Sequence, residues 1–144
     1  METATMGKVL VTAKIENLGD LYEVLKGQRK PEDVRRVEVT DALVDTGATE
    51  LGMSKSLADR LGLVPFRQRN VRTANGNVVI QTYLPVRLTI QGRDCHCDVM
   101  ELPGDLPVLI GQVPLEQMDW VVDPKRQRLI GNPDHGGEWM AEFY

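Results

Sequence analysis

The stretch Val39-Thr40-Asp41-Ala42-Leu43-Val44-Asp45-Thr46-Gly47-Ala48-Thr49 limits what this chain can fold into more than any other part of it. Ala42-Leu43-Val44 reads as a buried strand with no polar interruption. It ends abruptly in Asp-Thr-Gly, and helix-favouring sequence follows from Ser54. A carboxylate at the mouth of a buried strand is held on a rigid element, as acid/base chemistry requires. Taken alone, Asp-Thr-Gly is also an ordinary turn, because Asp bonds its own backbone and Gly accepts positive φ. The rest of the chain has to separate the two readings.

Upstream, Lys8 to Ile15 is β-branched and roughly alternating, and reads as a strand ended by Asn17 and Gly19. Leu18 to Gly27 carries Leu18, Leu21, Tyr22 and Leu25 at near-helical spacing, yet Leu21 to Leu25 equally suits a second strand; both readings stay open. Gln28 to Asp33, with Pro31, is a loop, and Val34 to Val44 resumes as one strand or two. Downstream, Ser54 is a good N-cap, Leu57 and Leu61 share a face, and Gly62 is placed to end a short helix. Asn70 to Ala74 and Val78 to Tyr83 are strand-like runs around Asn75-Gly76, a strong hairpin signal, and Asn77 also tolerates positive φ. Pro85 interrupts, and Val86 to Ile90 alternates cleanly. Gln91 to Asp94 turns the chain, and Cys95 to Glu101 returns. Leu102 to Pro107 is a loop before the apolar Val108-Leu109-Ile110-Gly111. Pro114 to Trp120 reads as a second short helix, and Val121 to Asp123 with Arg128 to Ile130 as a last hairpin. The expected class is mainly β with two short helices.

Composition narrows the function classes. At 144 residues, 42% hydrophobic and 26% charged, the chain suits one ordinary globular domain. A net charge of −4 gives no reason to expect nucleic acid or an anionic membrane as partner. No apolar run approaches a transmembrane helix, and Met1 to Lys8 lacks the basic start and apolar block of a signal peptide, so the expected location is cytoplasmic. Cys95-His96-Cys97 resembles metal chemistry, but a closed zinc site needs four ligands, and the other histidine, His135, lies in a Gly-rich tail. On a strand the two cysteines share a face and His96 takes the other, so they read as packed side chains. No metal and no cofactor are expected.

One internal echo bears on Asp45. Ala42 to Gly47 and Val108 to Gly111 are both apolar strands ending in Gly with a helix after them, and a pseudo-twofold between them would set Gly111 beside Asp45. With this echo in view, the chain resembles the retropepsin-like aspartic proteases of clan AA, and small bacterial members more than viral ones. The resemblance rests on Leu43 to Ala48, the hairpin at Asn75-Gly76 in the place of a flap, the strand pair Val86 to Ile90 and Cys97 to Glu101, and Leu109-Ile110-Gly111 before a helix. It spans a core of residues 37–131, after an integrated N-terminal section of residues 1–36 and before a tail of residues 132–144. Gln112 stands where viral enzymes usually carry an arginine that braces the subunit contact.

The resemblance implies a single-lobe, closed β-barrel that works as a symmetric homodimer on extended polypeptide. Asp45 would be the catalytic acid/base, one from each subunit, because the chain has a single Asp-Thr-Gly; Asp123 is followed by Pro, and Asp41 lies too far along the strand. Thr46 would brace the two loops, Gly47 would approach substrate and offer a carbonyl, and Ala48 would line the floor. Gly111 would pack against the Asp45 loop where a side chain would collide. Ala74, Asn75, Gly76 and Asn77 would form the flap tip and bond to substrate backbone. The competing class is a non-catalytic retropepsin-like module for dimerisation or peptide binding.

Overall fold

Val9, Val11, Ala13 and Ile15 alternate with more exposed neighbours along β1 (Val9–Asn17), and the inward set is buried. The period of two builds a strand with one wet and one dry face. The computed structural model describes residues 8–143; Met1 to Gly7, read above as lacking a leader, and Tyr144 lie outside the described residues. Asn17 then caps a helix, accepting from the Asp20 amide at 3.0 Å, so α1 (Leu18–Leu25) resolves the open choice in favour of helix. The described chain therefore holds three α-helices where the sequence suggested two.

β2 (Arg36–Val44) pairs antiparallel with β1, with a register shift between Val11 and Ala13. β3 (Leu51–Ser54) leads into α2 (Lys55–Arg60), whose N-cap Ser54 accepts from the Leu57 amide. β4 (Pro65–Thr73) and β5 (Gly76–Ile90) form a long hairpin, and β6 (Arg93–Leu102) returns along β5. The two-residue β7 (Leu109–Ile110) precedes α3 (Gln112–Gln117). β8 (Trp120–Asp123) and β9 (Arg128–Gly131) pair as a separate small sheet.

Hydrogen bonding runs from β1 through β2, β7, β3, β6 and β5 back to β1, closing six strands into a ring. β4 stands outside the ring, bonded to β5 alone. Ile15, Leu51, Met53, Leu88, Val99 and Ile110 are among the side chains that fill the core. Cys95 and Cys97 are both buried in it, and His96 is exposed on the opposite face. No helix among the described residues is long and apolar enough to cross a membrane.

Several local expectations need correction. Pro85 does not end a strand: β5 continues through it, and the β5–β6 register shifts between Tyr83 and Val86, a bulge that tolerates a residue with no N–H. The hairpin loop is Ala74-Asn75, one residue earlier than Asn75-Gly76, since Thr73 pairs with Gly76. Gly76 supplies the positive φ, +109°, as the residue after the turn, and Asn77 keeps an ordinary φ opposite Arg72. α3 begins at Gln112, so Pro114 lies inside its first turn and Trp120 already belongs to β8. β3 has no counterpart in the sequence reading: four residues with a glycine and no β-branched side chain carry little strand signal.

After β9 the chain folds back. The His135 ring lies between Asp119 and Glu142, at 2.6 Å from each carboxylate. Arg93 donates to the carbonyls of Met118, Asp119 and Gly137 and stacks on Trp120, tying the tail to β6 and the end of α3.

Candidate active site

Parallel pairing of β2 with β7 sets Leu43 beside Leu109 and Val44 beside Ile110. The Leu43 amide donates to Val108 O at 2.8 Å, and the Asp45 amide to Ile110 O at 2.9 Å. Asp45 is thus the first residue past a strand clamped on its backbone, and Gly111 follows Ile110 on the adjacent strand. The echo in the sequence corresponds to a real side-by-side pair.

The chain then turns tightly. The Ala48 amide donates to Asp45 O at 3.1 Å, and the Gly47 amide to Asp45 Oδ1 at 3.0 Å. One carboxylate oxygen is therefore oriented by the backbone of its own turn, a charge-assisted bond. The loop beyond it docks on the start of α3: Gly111, Gln112 and Val113 amides donate to the carbonyls of Glu50, Ala48 and Thr49 at 2.9 to 3.0 Å. The N–H groups that a helix start leaves without internal partners are used to hold the loop. A Cβ on Gly111 would lie 2.5 Å from Glu50 O and 2.6 Å from the Thr49 carbonyl carbon, so only glycine fits there. The side chain of Thr46 is exposed and makes no hydrogen bond to a described residue.

Asp45 opens onto a cleft of about 660 Å³ between this loop and the β4–β5 hairpin. Gly47, Ala48, Thr49, Glu50, Leu51 and Gly52 line it on the loop side, with Met100, Leu102 and Leu109 behind them. On the hairpin side it is lined by Arg69 to Thr73, five consecutive residues, and by Ile80. Side chains of a strand alternate between faces, so a consecutive run shows that the edge of β4 is turned to the cleft. Burial pushes the Glu50 carboxyl above its ordinary pKa, the Asp98 charge adds to this, and Arg69 opposes it. Beneath the hairpin the Tyr83 hydroxyl donates to Glu101 Oε1 at 2.6 Å, and its pKa is raised by burial first and by this partner second.

Of the residues singled out by sequence, Asp45, Gly47 and Ala48 meet in the cleft. Gly111 supports it from behind, and Thr46 faces solvent beside it. Ala74, Asn75, Gly76 and Asn77 do not line the cleft; the hairpin contributes β4 instead of its tip. Glu50, Arg69, Arg72, Met100 and Leu102 escaped the sequence reading. Arg67-Gln68-Arg69 has no apolar alternation, so the length of β4 was not legible there. Asp123, considered above as a second acid, accepts from Arg126 in the β8–β9 turn and does not line the cleft.

A search of curated proteins found no match to the chain. The family described as "gag-polyprotein putative aspartyl protease" matches residues 36–117, which contain the Asp45 turn, the hairpin, the cleft and α3. That match spans more than half of the chain and every strand of the ring except β1, and the chain accordingly belongs to this family of retropepsin-like aspartyl proteases.

Proposed function

We propose that the protein is an aspartic endopeptidase whose active unit is a homodimer, with Asp45 of each copy facing the other across a twofold axis. The observation that carries this is the cleft itself: Asp45 is the one aspartate among its lining residues, and it sits at an open mouth beside an exposed Thr46. The aspartic mechanism needs a base for water and an acid for the carbonyl oxygen in the same step, which one Asp45 cannot be at once. Glu50, the other carboxylate of the cleft, lines the wall, and the second acid in this reading is the partner copy's Asp45. Two carboxylates about 3 Å apart share one proton, since like charges at that distance do not both ionise. The ionised one takes a proton from water as the water oxygen attacks the peptide carbonyl, and the protonated one donates to the carbonyl oxygen. On collapse the carbon–nitrogen bond breaks and the amine leaves with a proton from the pair. The shared proton belongs to the dyad as a whole and has no fixed owner.

In this reading the Thr46 hydroxyls brace the two Asp45 turns against each other, and Gly47 lets substrate backbone approach closely. The hairpin acts as a flap. Substrate lies extended in the cleft as an added strand against the open edge of β4. The test is cleavage of an unfolded protein at mildly acidic pH, between about pH 4 and 6. Asp45→Asn is expected to lower the rate by at least a hundredfold, and specific activity to fall on dilution as dimers dissociate. Full activity in the Asn variant, or constant activity from a sedimenting monomer, overturns the proposal. Equal peptide binding by both forms with no cutting by either identifies a binding module instead.

A further inference from the structure

Between Asp59 and Asp94 the chain has no acidic residue, although its net charge is −4. That stretch includes the whole β4–β5 hairpin, and two of its arginines, Arg69 and Arg72, line the cleft. Neither forms an ion pair with a described residue. The Arg69 charge acts on Glu50, which lines the other side of the cleft, and the Arg72 side chain has no hydrogen-bonding partner among the described residues. Two arginines of the ring strands are instead neutralised locally: Arg36 and Arg87 are both paired with the buried Glu16, and Arg87 also with Asp94.

The register places the two cations on opposite faces of β4. Arg69 lies opposite Ile80 and Val71 opposite Val78, which is the inner, partly buried face; Arg72 lies opposite Asn77 on the outer face. A strand added along the β4 edge alternates in the same way. It would therefore meet one arginine with an inward side chain and the other with an outward side chain three residues away. Cations left unpaired beside an open strand edge also discourage that edge from pairing with apolar strands.

We propose that the cleft selects acidic polypeptide: extended segments bearing Asp or Glu at two positions three residues apart, one toward Arg69 and one toward Arg72. The inference rests on the cleft being the substrate site, but it concerns binding and can be tested apart from hydrolysis. The probes are fluorescein-labelled decapeptides of Ala and Val with two Glu three residues apart, and the same peptides with Gln or Lys in those places. Binding is measured to the full-chain Asp45→Asn protein, so that nothing is cut, in low and high salt.

The Glu peptide is expected to bind about tenfold more tightly than the Gln peptide, with the Lys peptide weakest. The margin should shrink between 0.05 and 0.5 M salt, as screening requires (concentrations of about that order). Adding Arg69→Gln and Arg72→Gln should make the Glu and Gln peptides bind alike, and Lys at both positions should keep the preference. Both sites are exposed, so these variants test charge and not folding. Equal binding of the Glu and Gln peptides, no binding of either, or a preference that survives the double Gln change overturns the inference. So does a single-stranded oligonucleotide that displaces the Glu peptide at lower concentration, which would assign the arginines to nucleic acid. If the wild-type protein cuts Gln and Glu peptides equally, the protease reading stands and this one falls. If it cuts neither but the Asn variant binds the Glu peptide selectively, the reverse holds.

Discussion

The two walls of the cleft are built on opposite principles. The wall that presents Asp45 is held by backbone: parallel β2–β7 pairing, a self-bonded turn, and three amides at the start of α3 fastened to carbonyls of Ala48, Thr49 and Glu50. The opposite wall is a hairpin that leaves the ring, with nearly all of residues 64–79 exposed and one edge of β4 unbonded. A reacting group gains from fixed geometry, because misplacement by about 1 Å is costly to catalysis. If the cleft takes polypeptide as proposed, a wall that admits it gains from few buried contacts, since such segments open at low free-energy cost. One chain meets both needs by splitting them between two elements.

The comparison breaks most visibly if the same change is made in both walls. Gly111→Ala forces a Cβ onto backbone atoms of Thr49 and Glu50, which cannot rotate away, and is expected to destabilise the fold by about 3 kcal/mol in urea unfolding. Gly76→Ala meets no atom within 4 Å and pays only for its positive φ, about 1 to 2 kcal/mol, with the fold intact. Equal losses at the two positions would refute the contrast.

A smaller effect sharpens the electrostatic side. Glu50 opposes the field of Arg69, so Glu50→Gln should raise the preference for Glu over Gln peptides by about threefold. An unchanged or lower preference would show that the two charges do not share the cleft in the way inferred above.

The smallest effect concerns the tail, which is held by charge and is neither clamped like the first wall nor open like the second. The His135 pKa is raised by Glu142 first and by Asp119 second; Asp119 is lowered chiefly by His135. A raised His pKa gives stabilisation that is complete below its unfolded value and lost as pH rises through the folded one. A lowered Asp pKa gives stabilisation present above its unfolded value and lost as pH falls. The clamp should therefore be tightest between about pH 4 and 6.5. The Met140 amide, which donates to Asp119 Oδ2, reports it: relative to a His135→Gln variant, its hydrogen exchange should be slowed most in that window. A ratio flat from pH 4 to 9 would show that the tail does not depend on this charge.

How much of this was legible in advance follows from the range of the interactions. Ser54 and Gly62 bounding α2, the mainly β class, and the paired strand endings at Gly47 and Gly111 depend on local propensity and period, which neighbouring residues encode. β3 was not legible, because its strand character comes from β6 and β7 on either side and not from Leu51-Gly52-Met53-Ser54. The passage of β5 through Pro85 was hidden for a similar reason: the bulge is set by β6, which lies beyond the next turn.

The division at the site is the same. Sequence alone determined that one Asp-Thr-Gly ends a buried strand and that a second strand ending in Gly follows far downstream, because both are written in contiguous residues. Only the tertiary structure decided that Gly111 is wedged against Thr49 and Glu50, that residues of β4 and not of the hairpin tip line the cleft, and that Arg69 and Glu50 line the same cleft. Those relations exist only once the ring closes, since they join residues that no local pattern connects and that hydrogen bonding across the sheet alone brings together.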